Sequence, residues 1–148
     1  MSPNFPACYV VVKKDDKILF VKRANTGFMD GHYSLPAGRV EVSETFSMGA
    51  AREALEEVGL TIKPEALKHV HTQHRYSNKS EFTQWVDVFF EVSDWSGEPI
   101  NNEPDKHSEI AWLPIADLPD SIMDYQKNAL DKILLNESYG EFGWESKP

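Results

Sequence analysis

Residues 45–58, TFSMGAAREALEEV, form the clearest helical signal in this chain of 148 residues. Ala50, Ala51, Ala54, Leu55 and Val58 recur at three- and four-residue spacing, which places them on one face. Ser43 is the expected N-cap, and Gly59 supplies a left-handed stop. On both sides the text changes period. Phe5 to Lys13, Ile18 to Lys22, Leu67 to Tyr76, Thr83 to Val92 and Glu109 to Leu113 are rich in β-branched and aromatic residues and read as strands. The polar turn Lys14-Asp15-Asp16-Lys17 joins the first two strands, and Ser77-Asn78-Lys79-Ser80 joins the next pair. Tyr33-Ser34-Leu35 is a short extended piece that Pro36 keeps out of a helix. A second helix is expected over Ser121 to Leu135, with Ile122, Tyr125, Ala129, Leu130 and Ile133 inward. Residues 136–148 lack a period and are expected to fray, with Phe142 and Trp144 the side chains able to dock. One helix set between strand runs, and a second near the end, predict an α+β class. The expected architecture is a single domain over residues 1–148, its sheet sandwiched by two helices.

Composition narrows the partners. The 15 Lys plus Arg against 24 Asp plus Glu give a net charge of −9, which argues against a nucleic-acid polymer as partner. No apolar run is long enough for a membrane span, and the opening Met1-Ser2-Pro3-Asn4-Phe5 does not read as a signal peptide, so a cytoplasmic location is expected. The single cysteine, Cys8, neither staples the fold nor makes a cysteine zinc site, and reads as a small buried hydrophobe.

The chemistry concentrates in the central helix. Glu53, Glu56 and Glu57 stand at i, i+3 and i+4, so three carboxylates share one side. One reading is a solvated acidic face. Yet like charges at this spacing repel by a few tenths of a kcal/mol per pair, and they lie toward the helix C-terminus, where anions are least favoured. A hard divalent cation with oxygen ligands, Mg²⁺ or Mn²⁺, turns the arrangement into a site.

The surroundings of these carboxylates have a recognisable spacing. Gly38 is followed by five residues and Glu44, then by seven residues and Arg52-Glu53-Ala54-Leu55-Glu56-Glu57-Val58-Gly59-Leu60. This resembles the signature of the Nudix hydrolase family, and within it the MutT-like branch. The one departure is Ala54, where a larger aliphatic is usual. The flanking Asn25-Thr26-Gly27, Asp30-Gly31 and Leu35-Pro36-Ala37-Gly38 also look like family members, and the strand order extends the resemblance over most of the chain.

The resemblance implies a Nudix-type α/β/α sandwich with a mixed central sheet. It also implies metal-dependent hydrolysis of a diphosphate in a nucleoside diphosphate linked to a further group X. The expected substrate is a (d)NTP, cleaved to monophosphate and pyrophosphate. The alternatives are a nucleotide sugar or dinucleoside polyphosphate, or nucleotide binding without cleavage. Glu53, Glu56 and Glu57 would ligate the ion, with the Gly38 carbonyl completing its shell. Arg52 would orient a glutamate through a bidentate pair. Glu44 and Gly59 would be structural, Glu44 bracing the loop–helix junction, although a catalytic role for Glu44 stays open. The stretch Gly97-Glu98-Pro99-Ile100-Asn101-Asn102-Glu103 looks like the branch's later loop. Glu103 is therefore the candidate base and a further metal ligand, with Asp105 and Glu109 as fall-backs. Arg23 and Phe28 are candidate substrate contacts. Partners are expected to be small nucleotides, and a homodimer is compatible.

Other residues carry weaker signals. Phe28, Tyr33, Trp85 and Trp112 are candidates to stack on a base or to fill the core. His69 and His71 alternate on a strand and should share a face, but no third zinc ligand accompanies them. Gly27, Gly31 and Gly38 lack the Gly-Lys-Ser/Thr of a phosphate-cradling loop. Leu118 to Asp124 offers Ser121, Ile122 and Met123 where oxidised-guanine-sanitising relatives keep an asparagine, which weighs against that dedicated role.

Overall fold

The computed structural model describes residues 3–147; Met1, Ser2 and Pro148 lie outside them. Eight strands and two helices follow in the order β1 (Phe5–Lys14), β2 (Lys17–Arg23), β3 (Tyr33–Ser34), β4 (Ala37–Arg39), α1 (Phe46–Val58), β5 (Lys68–Tyr76), β6 (Gln84–Val92), β7 (His107–Pro114), α2 (Asp124–Leu134) and β8 (Tyr139–Phe142). The sheet is mixed, in the order β3-β2-β1-β6-β5-β8, with β4 on β1 and β7 on β2. No helix among the described residues is long and apolar enough to cross a membrane.

β1 organises the molecule. It runs parallel to β6 from Phe5↔Trp85 to Val12↔Val92. Its pleat sends Cys8, Val10 and Val12 into the core layer under α1, with Ala50, Ala54 and Val58. Ala7, Tyr9 and Val11 go to the opposite layer under α2, with Phe89, Ala129, Leu130 and Ile133. This is the α/β/α sandwich, and it explains why β1 is apolar at nearly every position rather than alternating. Truncating a ring as enclosed as Phe89 to Ala would cost about 3–5 kcal/mol. Ala54 is fully buried in the α1 layer, so the small residue there suits the close approach of helix to sheet.

β4 matters most for the site. β1 meets β2 only at the hairpin end, Lys13↔Ile18 and Lys14↔Lys17. Nearer its start β1 pairs antiparallel with β4 instead, Cys8 opposite Gly38. A short strand absent from the sequence reading thereby brings the Gly38 backbone against α1.

Three expectations need correction. The N-cap of α1 is Thr45, whose Oγ1 accepts from the Met48 amide at 3.1 Å. Ser43 instead turns through a left-handed conformation, φ +66°, two residues before the cap. The tail does not fray within the described residues. β8 pairs parallel with β5 from Thr72↔Tyr139 to Arg75↔Phe142, and the Trp144 indole donates to the His74 carbonyl at 2.9 Å. Strand pairing, invisible to periodicity over four residues, anchors it. Finally, His69 and His71 do not share a face. The register slips between them, so His69 pairs with Phe90 and His71 with Phe89. The bulge at Val70 turns His69 outward and buries His71.

Candidate functional site

Gly59 ends α1 in a left-handed conformation, φ +69°. A Cβ there would come within 2.9 Å of Ile100, so both backbone and space require glycine. The loop carrying Ile100 hangs from the open carbonyls of the last helical turn. Ile100 N donates to Val58 O and Asn102 N to Glu57 O, both at 3.0 Å. The Asn102 side-chain amide donates to Leu55 O at 3.3 Å and Glu56 O at 3.2 Å. This capping delivers Glu103 to the carboxylates of α1.

Glu57 is the buried member of that set, and its Oε2 accepts from the Ala37 amide at 2.8 Å. Its Oε1 lies 3.5 Å from His107 Nε2. Glu57, Glu103 and His107 present ligand atoms that all lie within 4.8 Å of one another. Glu53 flanks Glu57 on the same helix. The Gly38 backbone approaches the Glu53 carboxylate so closely that any side chain at Gly38 would collide with it. The Gly38 carbonyl accepts from the Cys8 thiol at 3.4 Å. Glu56 is exposed, its carboxylate 3.2 Å from Arg52 Nη1.

Arg52 ties this group to the loop before α1. Its Nε and Nη2 donate to Glu44 Oε2 and Oε1 at 2.8 and 3.0 Å, its Nη1 to Glu53 Oε1 at 2.7 Å, and its Nη2 also to Arg39 O at 3.1 Å. Glu44 in turn accepts from the Glu41 amide at 2.9 Å. The bidentate partner of Arg52 is thus Glu44, while its contact with Glu53 is single.

The electrostatics are those of crowded anions. Burial, then the neighbouring charge of Glu53, pushes the Glu57 carboxyl well above the usual carboxylate range. Burial raises Glu53 too, against the opposing pull of Arg52. The Arg52 hydrogen bonds hold Glu44 below its ordinary value. His107 is pushed down to about 4 by burial and by Arg23 and Lys106, so it is a neutral imidazole near pH 7. Carboxylates raised first by burial and then by neighbouring charge are a donor set that a divalent cation would relieve, and the oxygen-rich ligands fit Mg²⁺ or Mn²⁺.

A cavity of about 360 Å³ opens beside Glu57 and Gly38, with Arg23, Phe28, Arg75 and Trp85 in its walls. A second recess shares Arg23, Gly38 and Glu57 and adds Glu53, Glu103 and His107. The carboxylates therefore stand at the mouth of an aromatic and cationic cleft. Arg23 and Phe28, the candidate substrate contacts, both line it. Arg23 Nε donates to Phe28 O at 2.8 Å, and its guanidinium sits 5.5 Å from the Phe28 ring centroid. Trp85 also lines the cleft. Tyr33 and Trp112 do not: Tyr33 bonds Glu109 at 3.1 Å, and Trp112 stacks on Trp95 in the α1 layer. Of the fall-back bases, Glu109 is held by Tyr33 and Lys22, outside the cluster, and Asp105 is exposed.

Four contributing residues escaped the sequence reading. His107 follows Glu103 by four residues, and its amide donates to Glu103 O at 3.0 Å, a local turn that the spacing alone could have suggested. Asn102 acts through the helix carbonyls. Arg75 and Asp87 sit on adjacent strands, and only the β5–β6 register brings them together.

The NUDIX domain model matches residues 3–133. An ADP-ribose pyrophosphatase of Methanocaldococcus jannaschii is 30 % identical over 117 residues, covering 79 % of this chain and 66 % of that protein. A NAD-capped RNA hydrolase NudC of Escherichia coli is 32 % identical over 118 residues, covering 79 % of this chain and 42 % of the relative. The chain thus spans under half the length of that NudC and about two-thirds of the archaeal protein. Among solved structures, a MutT NUDIX hydrolase from Burkholderia pseudomallei superposes with a TM-score of 0.78 at 25 % identity, covering 88 % of this chain and 98 % of that one. A NUDIX hydrolase from Nitrosomonas europaea, at 19 % identity and a TM-score of 0.74 over 97 % of this chain and 81 % of that one, shares the fold. With the family model matching residues 3–133, nearly the whole chain, the protein belongs to the NUDIX family.

Proposed function

We propose that this protein hydrolyses the diphosphate linkage of a nucleoside diphosphate joined to a further group, with a (d)NTP cleaved to its monophosphate and pyrophosphate as the preferred substrate. The observation that carries this reading is one arrangement: buried Glu57, flanked by Glu53, Glu103 and His107 at the mouth of the aromatic cleft. Glu53, Glu56, Glu57 and Glu103, with the Gly38 carbonyl, would hold Mg²⁺ or Mn²⁺. When bound, the ion supplies Lewis-acid charge to the phosphoryl oxygens.

The chain's own groups do the rest. Arg52 fixes Glu53 and, through Glu44, the loop before α1. Glu103 is half-buried and carries only a 3.6 Å contact from Lys106, so its carboxylate is available to take the proton of the attacking water. Water adds to one phosphorus of the linkage as Glu103 takes its proton, the bridging P–O bond breaks, and the group beyond it, pyrophosphate or the nucleoside monophosphate, departs with that electron pair. Arg23 at the shared wall of the two recesses places a fixed cation beside the developing charge.

A second reading, hydrolysis of ADP-ribose, is favoured by the name of the archaeal relative. A chromatographic screen with Mg²⁺ or Mn²⁺ for nucleoside monophosphate, with pyrophosphate or a sugar phosphate as co-product, over (d)NTPs, nucleotide sugars, dinucleoside polyphosphates and ADP-ribose tests both. The highest kcat/KM on a (d)NTP supports the first reading, and the highest on ADP-ribose supports the second. Binding without turnover of any of them would overturn both.

A further inference from the structure

The floor of the cleft holds a group that the proposed hydrolysis does not use. Arg75 is more than nine-tenths buried, yet it lines the cavity. Asp87, completely enclosed, takes its Nε at 2.7 Å and its Nη2 at 3.1 Å. Tyr9 donates to the same carboxylate at 2.8 Å, and the Gln73 amide lies 3.3 Å from it. The guanidinium carbon lies 4.0 Å from the Tyr125 ring centroid and 4.8 Å from that of Trp85. Arg75 is therefore held on two nitrogens and two ring faces, and its Nη1 has no hydrogen-bond partner among the described residues. A guanidinium cannot shed its proton, so Nη1 is a permanent, immobilised donor.

The cationic groups of the cleft point the same way. Arg23, Arg39 and Lys79 line it and are donors only. The amide of Gln126 is spent, its oxygen on Leu35 N at 2.8 Å and its nitrogen on Ser34 Oγ at 3.0 Å. Both Asp87 oxygens are covered from within. Among the described residues that line the cleft, and apart from Glu57 at the mouth, the side-chain acceptors are hydroxyls such as those of Ser77 and Ser80, and no carboxylate or carboxamide oxygen is open to receive an amino group. Trp85 and Phe28 supply ring faces for a flat ligand.

We propose that Arg75 is a specificity-determining residue whose free nitrogen reads the keto edge of a base, selecting 6-keto purine and 4-keto pyrimidine nucleotides over adenine and cytosine nucleotides. The proposal rests on the nucleotide reading above. On the same edge guanine offers two adjacent acceptors, O6 and N7, and uracil offers O4. Adenine sets an exocyclic amine beside N7 and cytosine offers its amine alone, so a fixed donor meets one acceptor fewer and an amine that competes with it. It departs from what the names of the two similar proteins say of those proteins, since ADP-ribose and NAD both carry adenine.

Binding of nucleoside monophosphates to the metal-free protein tests the proposal without any turnover. GMP and UMP should bind at least about tenfold more tightly than AMP and CMP. Arg75→Lys keeps the charge but loses the planar fork. In that variant, shown folded by its melting curve, GMP and UMP should fall to the level of AMP and CMP, which stay unchanged. Equal affinities in the wild-type protein, or an adenine preference, would overturn the proposal whether or not the variant folds. An equal loss of all four ligands in Arg75→Lys would overturn it too, because that is what a purely structural role gives. The two readings fail separately. Keto-selective binding with no hydrolysis of any nucleotide sinks the proposed activity alone, and hydrolysis indifferent to the base sinks only this inference.

Discussion

The guanidinium of Arg52 grips both carboxylate oxygens of Glu44, Nε to Oε2 at 2.8 Å and Nη2 to Oε1 at 3.0 Å, across eight residues of sequence. That fork locks the loop carrying Glu41 and Glu44 to α1 and leaves Nη1 for Glu53. Arg52→Lys retains the charge but cannot serve both. We expect turnover to fall by about tenfold or more with a smaller change in KM, since ligand-orienting partners act through the groups they hold. Steady-state kinetics beside a melting curve checks this, and an unchanged kcat would reduce the fork to a packing contact.

The carboxylates themselves should matter more. Glu56→Gln and Glu57→Gln each remove one negative charge at nearly constant shape. Each should keep the fold and lower turnover by at least about a hundredfold, equivalent to roughly 2.7 kcal/mol of transition-state stabilisation. Near-wild-type rates in both variants would end the assignment of this face to the reaction.

Glu103 reaches the cluster only because Asn102 caps α1. As the base it should act chiefly in the transition state, so Glu103→Gln should depress kcat more than it raises KM. A pH–rate profile identical to wild type would return Glu103 to the status of a loop acid.

How much of this was written in the sequence depends on range. The Gly59 stop, the strand of β1 and the Ala50, Ala54 and Val58 side of α1 follow from local period and backbone preference, and they hold. Leu55, placed on that same face by the period, is instead half exposed, and Glu57 is buried in the structure. The N-cap slipped from Ser43 to Thr45 because several hydroxyl residues precede the helix, and backbone conformation decides among them. The bulge that separates His69 from His71 leaves no compositional mark. Strand β8 is too short to show a period, and Trp144 docks by an indole hydrogen bond to the His74 carbonyl and by ring contacts with His74 and Tyr76. The Arg75–Asp87 pair spans twelve residues, and its meeting depends on a register that only the assembled β5–β6 pair defines. Local chemistry was legible, and cross-strand chemistry was not.

His71 gives a pH signature remote from the carboxylates. Its Nδ1 faces the Glu137 carbonyl at 2.7 Å, while its buried Nε2 has no partner among the described residues. Burial holds this imidazole below its ordinary value of 6.5. As pH falls through that value the unfolded chain takes up the proton before the folded one does, so stability is lost toward acid. Taken alone, His71 opens a gap between a higher stability at pH 7.5 and a lower one at pH 5.5 in urea unfolding, which the raised Glu53 and Glu57 oppose. His71→Gln should narrow that gap by removing the titrating group. A gap of the same size in the variant would exclude His71 as its source.

Whether the acidic face of α1 holds a divalent cation is the central question, and thermal melting answers it without a substrate. An ion bound only by the folded chain stabilises it by RT ln(1 + [M]/Kd), about 1.4 kcal/mol at ten times Kd, or a few degrees for a domain of this size. MgCl₂ should raise the melting temperature well beyond NaCl at matched ionic strength, because screening relieves repulsion without ligation. The difference should shrink in Glu57→Gln. Equal responses to both salts, in wild type and variant alike, would contradict the account.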